Sequence, residues 1–253
     1  MLLRAENLAK RFGGVHAVQD VSFDLAPGTV HAIIGPNGAG KTTLLNMLTG
    51  IYLPSAGRVF LDQRDLTGQP PHRFAAAGIG RTFQNLQIFF NMSALENVMA
   101  GRWLHEHVGL ASALLRLPRL ARAERRCRTE AMQLLELVGL ERWADAASDA
   151  MPYGALKRLE IARALAAGPK LLLLDEPAAG LNPTETREFD RLIRELASRG
   201  ITIVLVEHNM KLVMGVSGHV IVLDEGRMLV EGEPRTVSAD PRVIEAYLGE
   251  EAH

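Results

Sequence analysis

The chain is poor in cysteine, in long apolar runs and in net charge. Cys127 is its single cysteine among 253 residues, so it can form no internal disulfide, and such sparing use fits a reducing compartment. No stretch approaches the ~18 consecutive apolar residues of a membrane span. The N-terminal "MLLRAENLAKRF" carries Arg4 and Glu6 and so lacks a signal-peptide core. A role at a membrane would therefore run through partners. The formal net charge of -1 gives no general attraction to nucleic acid or to an acidic ligand. Internal repeats and low-complexity linkers are also missing. What remains is a chain with 47% hydrophobic residues, long enough to bury one sizeable core with room for a subdomain.

Short runs rich in Val, Ile and Leu recur at 29–35 ("TVHAIIG"), 171–175 ("LLLLD"), 201–207 ("ITIVLVE") and 219–226 ("HVIVLDEG"). Between two of them, 183–200 places Phe189, Leu192, Ile193 and Leu196 at helical spacing, with Gly200 as a stop. Strands alternating with helices predict an α/β fold with a mostly parallel sheet covered on both faces. The segments "LLRAENLAKRF" and "AVQDVSFDL" alternate with period two and predict an N-terminal antiparallel β subdomain. From about Ser93 to Ala167 the pattern is helical, which predicts an inserted helical subdomain. The expected organisation is one domain over 1–253: an α/β core with its antiparallel sheet from 1–92 and 168–253, and the helical subdomain from 93–167.

"GPNGAGKTT" follows the strand "VHAIIG" directly. Gly35, Gly38, Gly40, Lys41 and Thr42 satisfy G-x-x-x-x-G-K-[ST]. Pro36, Asn37 and Ala39 complete the loop and Thr43 follows it. The glycines allow a tight turn whose N–H groups face phosphate oxygens, and the helix beginning near Lys41 aims its positive end at the same anion. Lys41 would reach the β- and γ-phosphates and Thr42 would hold Mg²⁺. Far downstream, "LLLLDE" ends a strand in two carboxylates. A parallel sheet would bring Asp175 beside the phosphate loop, to bind Mg²⁺ through water, and let Glu176 point at an attacking water.

With these motifs in this order, the chain resembles the ATP-binding subunit of an ABC transporter from about Leu2 to Gly249. Gln84 in "RTFQN" matches the Q-loop, "AGLN" (179–182) the D-loop and His208 in "VEHNM" the switch histidine. Phe12 falls where the family stacks an aromatic ring on adenine. The resemblance implies that Gln84 senses Mg²⁺ and the γ-phosphate, and that His208 holds the γ-phosphate and orients the water Glu176 activates. His16, His31, His72, His105, His107 and His219 read as surface or packing residues.

The stretch "MPYGALKRLEIARAL" (151–165) stands where the family carries L-S-G-G-Q. Met151, Pro152, Tyr153, Gly154 and Ala155 occupy those positions, and only Gly154 keeps the common residue type. Proline offers neither hydroxyl nor N–H. A helix starting after Gly154 would still present N–H groups and a dipole to phosphate, so the expectation is a working variant in which Tyr153, Gly154 and Ala155 face the partner's ATP. The variant resembles the branched-chain amino acid uptake branch, as do "GIGRTFQNLQIFFNMSALENVMAG", the long segment after Gly101 and "GEPRTVSADPRVIEAYLGEE". Asn182 replaces the usual Asp of the D-loop.

The resemblance implies ATP and Mg²⁺ as ligands, a second ATPase subunit (identical or homologous), two membrane permease subunits and, indirectly, a solute-binding protein. No nucleic acid is expected. The place of work would be the cytoplasmic face of the inner or plasma membrane. The rival readings are an ATPase of a related system such as lipopolysaccharide export, a non-transport ABC ATPase, and a nucleotide-gated regulator without turnover. Two further segments await a role. "RLPRLARAERRCR" (116–128), with six arginines and one glutamate, reads as a solvated helix face or a contact with lipid headgroups or a permease loop. "QIFFNM" (87–92) reads as core packing or, in preference, as a permease contact, because Gln84 needs a route to the membrane subunit.

Overall fold

The computed structural model of the protein describes residues 1–102 and 118–248. His105, His107 and Arg116 lie outside them. The chain divides into two compact units, Met1–Arg81 with Lys170–His253, and Thr82–Pro169. The division falls earlier than residue 93 on the N-terminal side, because β6 (Ile79–Arg81) belongs to the first unit's sheet and the segment after it does not.

The first unit holds two sheets. One is antiparallel, in the order β2-β1-β4-β5, formed by β1 (Leu3–Phe12), β2 (Val15–Leu25), β4 (Ala56–Leu61) and β5 (Arg64–Asp65). The other has the order β10-β9-β3-β8-β7-β6, adding β3 (Val30–Ile34), β7 (Leu171–Asp175), β8 (Thr202–Val206), β9 (His219–Asp224) and β10 (Arg227–Gly232). Its pairings are parallel from β9 through β3, β8 and β7 to β6, and only β10 runs antiparallel, at the edge.

Every residue of β3, β7 and β8 is buried, which is why these strands read as unbroken apolar runs rather than alternations. Strand alternation sorts their side chains between two cores. Ile33, Leu173, Val204 and Ile221 face the antiparallel sheet, with Leu44, Leu45, Met47 and Leu48 of α1 (Lys41–Leu48) in the same cluster. Ala32, Ile34, Val220 and Val222 face the opposite way, toward Val213, Val237 and Val243. Burying one such Leu or Ile side chain contributes about 2 kcal/mol by area. On these faces also lie α2 (Pro71–Ala77), the helix after β7, Pro183–Ser198, and the short helices Met210–Val216, Pro234–Ser238 and Pro241–Leu248. The buried residues of Pro183–Ser198 are Phe189, Leu192, Ile193 and Leu196, the four that its periodicity selects.

The second unit is helical: α3 (Ala94–Gly101), α4 (Pro118–Leu137) and α5 (Tyr153–Ala166), with 3-10 turns at Glu141–Trp143 and Ser148–Ala150. With these named, the helices after β7 are α6 (Pro183–Ser198), α7 (Met210–Val216), α8 (Pro234–Ser238) and α9 (Pro241–Leu248). Ser93 and Glu96 form a capping box at the start of α3. Buried Asn97 fixes the preceding loop. Its Oδ1 accepts from the Phe89 N–H at 2.9 Å, and its Nδ2 donates to Phe89 O, Ser93 O and Ser148 Oγ, each at 3.0 Å.

Candidate nucleotide site

A parallel sheet gathers the carboxyl ends of its strands along one edge, where ligands of such sheets bind. Here β8 lies between β3 and β7, so the turns after these three strands are neighbours. They carry the phosphate loop, Asp175 with Glu176, and His208.

In the loop after β3, Gly35, Gly38 and Gly40 all have positive φ. Two of them are also hemmed in. A Cβ on Gly35 would lie 2.0 Å from Leu223 O, and one on Gly40 would lie 2.4 Å from Ala17 O. Gly40 is the left-handed N-cap of α1, and the Leu44 N–H closes onto its carbonyl at 2.8 Å. The N–H groups of Thr42 and Thr43 in the first turn have no acceptor within the helix and stand where an anion is favoured. Lys41 is buried, its ammonium donating to the carbonyls of Gly35 and Pro36 at 2.7 and 2.8 Å. Asn37 and Gly38 are exposed at the tip, beside half-buried Pro36 and buried Ala39.

Asp175 ends β7, paired in register with Val206 of β8. Its Oδ2 accepts from the Arg81 guanidinium at 3.0 Å, and both side chains are buried. Arg81 also donates to Asn46 Oδ1 at 2.7 Å and Thr49 Oγ1 at 3.2 Å, so one guanidinium joins β6, β7 and the end of α1. Sequence reasoning missed Arg81; the signal was an arginine just ahead of the Q-loop. Glu176 follows at φ 47°, a left-handed turn that bends the chain out of the strand direction. Its Oε1 lies 2.9 Å from His208 Nε2.

Beneath that pair is Glu207, 4% exposed. Burial pushes its carboxyl above the usual range; three N–H groups, from Ala178, Asn209 and His208, oppose this, and Glu176 adds to the rise. Sequence reasoning passed over it, though it directly precedes His208. Asn182 is the N-cap of α6, its Oδ1 accepting from the Thr184 and Glu185 N–H groups at 2.9 and 3.0 Å. Glu185 returns the bond to the Asn182 N–H at 2.9 Å. The amide in place of the usual aspartate thus completes a capping box.

Phe12 is 44% exposed at the end of β1, edge-on to Tyr52 with ring centroids 5.3 Å apart. Lys10 Nζ sits 5.1 Å from the Phe12 centroid. Tyr52 is a second aromatic at this place that sequence reasoning passed over.

In the second unit, the helix expected to start after Gly154 begins two residues earlier, at Tyr153, with Pro152 as its N-cap. Pro152 can take this place because the cap needs an extended backbone and no donor, and its φ and ψ are -59° and 151°. The Pro152 carbonyl accepts from Ala155 at 2.9 Å and Leu156 at 3.0 Å. Tyr153 is exposed, whereas Ala155 is 3% exposed and its side chain packs inward. The N–H groups of Tyr153 and Gly154 come first on the helix. The same helix grips the Q-loop: Lys157 Nζ donates to Gln84 O at 3.4 Å, and the Glu160 carboxylate accepts from Phe83 and Gln87 at 3.3 and 3.4 Å. Burial raises the Glu160 carboxyl, against those N–H groups and the charges of Lys157 and Arg163. Phe83, Phe89 and Phe90 are exposed in this segment, with the Arg163 guanidinium 5.3 Å from the Phe89 centroid.

A glycine-built phosphate cradle, a lysine inside it and a strand-end carboxylate pair on the same sheet edge define a P-loop nucleotide-binding ATPase. The family profile described as "ABC transporter" matches residues 18–179, and a second, "Branched-chain amino acid ATP-binding cassette transporter", matches 227–253. The chain belongs to the ABC transporter family. It is 44% identical to the high-affinity branched-chain amino acid transport ATP-binding protein LivG of Escherichia coli (strain K12), and 42% identical to its counterpart BraF of Pseudomonas aeruginosa. Each comparison spans 98% of both chains. The lipopolysaccharide export system ATP-binding protein LptB of Acidithiobacillus ferridurans is 39% identical over 99% of this chain and 98% of its own. Among solved structures, a nucleotide-free ATP-binding cassette from an ABC transporter superposes with a TM-score of 0.85 at 33% identity, covering 97% of this chain and 98% of that one. The ADP conformation of such a cassette gives the same score and identity over 98% and 99%. Among the described residues no helix is long and apolar enough to cross a membrane.

Proposed function

We propose that the chain hydrolyses ATP to power uptake of branched-chain amino acids or related small amides through two separate membrane permease subunits. The observation that carries this is the match of residues 227–253 to the branched-chain amino acid profile, together with LivG and BraF aligning over 98% of the chain. The lipopolysaccharide-export relative aligns over as much of the chain at a lower identity, 39%.

In this reading ATP lies with its phosphates on the N–H groups of residues 37–43, Lys41 at the β- and γ-phosphates and adenine against Phe12. Mg²⁺ fits the donors at hand. Thr42 and Asp175 offer the hard oxygens it prefers, and among the described residues no cluster of three His, Cys, Asp or Glu would hold a metal alone, as suits an ion shared with phosphate. Bound there with Gln84 as a further ligand, it would neutralise charge on the phosphates. Glu176 takes a proton from the attacking water, and His208, bonded to Glu176, orients that water and donates to the γ-phosphate oxygens. A second ATPase subunit, identical or homologous, closes the site with its own signature, while Tyr153 and Gly154 of this chain present their N–H groups to the partner's ATP. The exposed Phe83, Phe89 and Phe90 form the permease-facing patch beside Gln84. The protein then works on the cytoplasmic face of the membrane, linked only indirectly to a solute-binding protein.

The deciding experiment is recovery of a tagged Glu176→Gln chain, trapped with ATP, from solubilised membranes of its native cell. Co-purification of two permeases and an ATPase subunit, encoded with a binding protein that takes branched-chain amino acids, is expected. Recovery of lipopolysaccharide-export components, or of soluble partners alone, would overturn it.

A further inference from the structure

Glu207 has no part in the mechanism above, yet its carboxylate spans two of the turns that do. Oε1 accepts from the Ala178 N–H at 2.7 Å. Oε2 accepts from the His208 N–H at 3.1 Å and the Asn209 N–H at 3.4 Å. Ala178 lies two residues beyond Glu176, in the turn after β7. His208 and Asn209 form the turn after β8, and Asn209 caps α7 by accepting from the Leu212 N–H at 3.2 Å. The turns so joined carry the two side chains that meet at 2.9 Å, Glu176 and His208.

We infer that Glu207 is a positioning residue for ATP hydrolysis: its buried, bidentate carboxylate clasps the Glu176 turn to the His208 turn and so sets the geometry of that pair. The inference rests on the proposed roles of Glu176 and His208 and adds what holds them in register.

The chemistry of the clasp is specific. Its hydrogen-bond partners are all N–H donors, with the Glu176 carboxylate nearby as a like charge, and only a carboxylate offers acceptors on both oxygens. A glutamine has one acceptor, and its amide would turn N–H groups toward N–H groups on one side of the clasp. An aspartate keeps the charge but is one methylene too short to reach both turns. Either change loosens one turn from the other, and neither touches the phosphate loop that binds ATP.

The test measures steady-state ATP hydrolysis, affinity for a fluorescent ATP analogue and thermal melting of the full-length chain. The variants are Glu207→Gln, Glu207→Asp, His208→Ala, the Glu207→Gln/His208→Ala double and Glu176→Gln. Glu207→Gln is expected to lower kcat at least about tenfold, with KM and nucleotide affinity within about twofold, the pattern of an interaction that matters in the transition state. In the His208→Ala background the same change should cost nothing further, because the geometry it protects is already gone. A kcat loss that multiplies with His208→Ala, or a fall in nucleotide affinity in step with kcat, would overturn the inference. Should melting show that Glu207→Gln is unfolded, Glu207→Asp carries the test: it too must lose kcat at preserved affinity, and full turnover overturns the clasp. Glu176→Gln separates the layers. Turnover lost there but intact in both Glu207 variants overturns this inference alone, whereas turnover intact in Glu176→Gln overturns the underlying reading as well.

Discussion

Single side chains in this site have separable jobs. Arg81 and Asp175 form a buried pair, and removing one member of such a pair costs about 3–5 kcal/mol because the other charge stays behind. Arg81→Met should therefore lower the melting midpoint by about 10 °C. Arg81→Met/Asp175→Asn should regain part of that, and equal melting of the single and double variants would show that the pair does not stabilise the fold. Phe12 is exposed, so its loss leaves the core intact. Phe12→Ala should weaken ATP binding about tenfold, the scale of stacking a base on an aromatic ring, while Phe12→Trp keeps it. Titration with a fluorescent nucleotide reads this directly. Lys41 and Glu176 were legible as candidates in their motifs, and His208 through the resemblance to the family's switch histidine. Arg81 and Glu207 were not, since each acts on a partner remote in sequence: Asp175 lies 94 residues from Arg81 and Ala178 lies 29 from Glu207.

At the scale of elements, β3 carries a conflict that should show in pH dependence. His31 is buried between β8 and β9, its Nε2 2.7 Å from Thr29 Oγ1 and its ring 5.7 Å from that of His219. Burial, then the charge of His219, lowers its pKa from 6.5 to about 4. The unfolded chain thus takes up this proton below pH 6.5 while the folded chain refuses it until about pH 4. Stability from this group is fully present above pH 6.5 and falls as pH drops toward 4, by about 3 kcal/mol in all. Urea unfolding of the wild type and of His31→Gln at pH 7.5 and 4.5 tests it: the variant should lose distinctly less stability over that interval, and parallel losses would refute the assignment. The helix at the signature shows what sequence periodicity leaves open. Its existence was evident, but its start at Tyr153 follows from Pro152 serving as the cap, a backbone decision that no side-chain pattern records.

For the whole molecule, the variant signature makes a prediction about assembly. Serine at position 152 would restore a hydroxyl at the helix cap, facing the ATP held by the other subunit in the proposed dimer. In the assembled transporter, Pro152→Ser should change the Hill coefficient of hydrolysis more than it changes ATP affinity of the isolated chain. An unchanged Hill coefficient would count against a role for this position in the partner's site.

Fold class and phosphate loop are both legible in the order of residues along the chain. Unbroken apolar runs demand strands buried on both faces, and the glycine-lysine-threonine loop needs only its neighbouring strand and helix to become a phosphate cradle. These are local statements, written in adjacent residues. The tertiary structure alone decided the strand order β3-β8-β7, which sets Glu176 against His208. It also brought Arg81 to Asp175, Tyr52 to Phe12, and Glu207 between the turns after β7 and β8. Such contacts depend on which strands become neighbours. Strand order is fixed by the packing of the entire sheet against its helices, so no single stretch of the chain contains it.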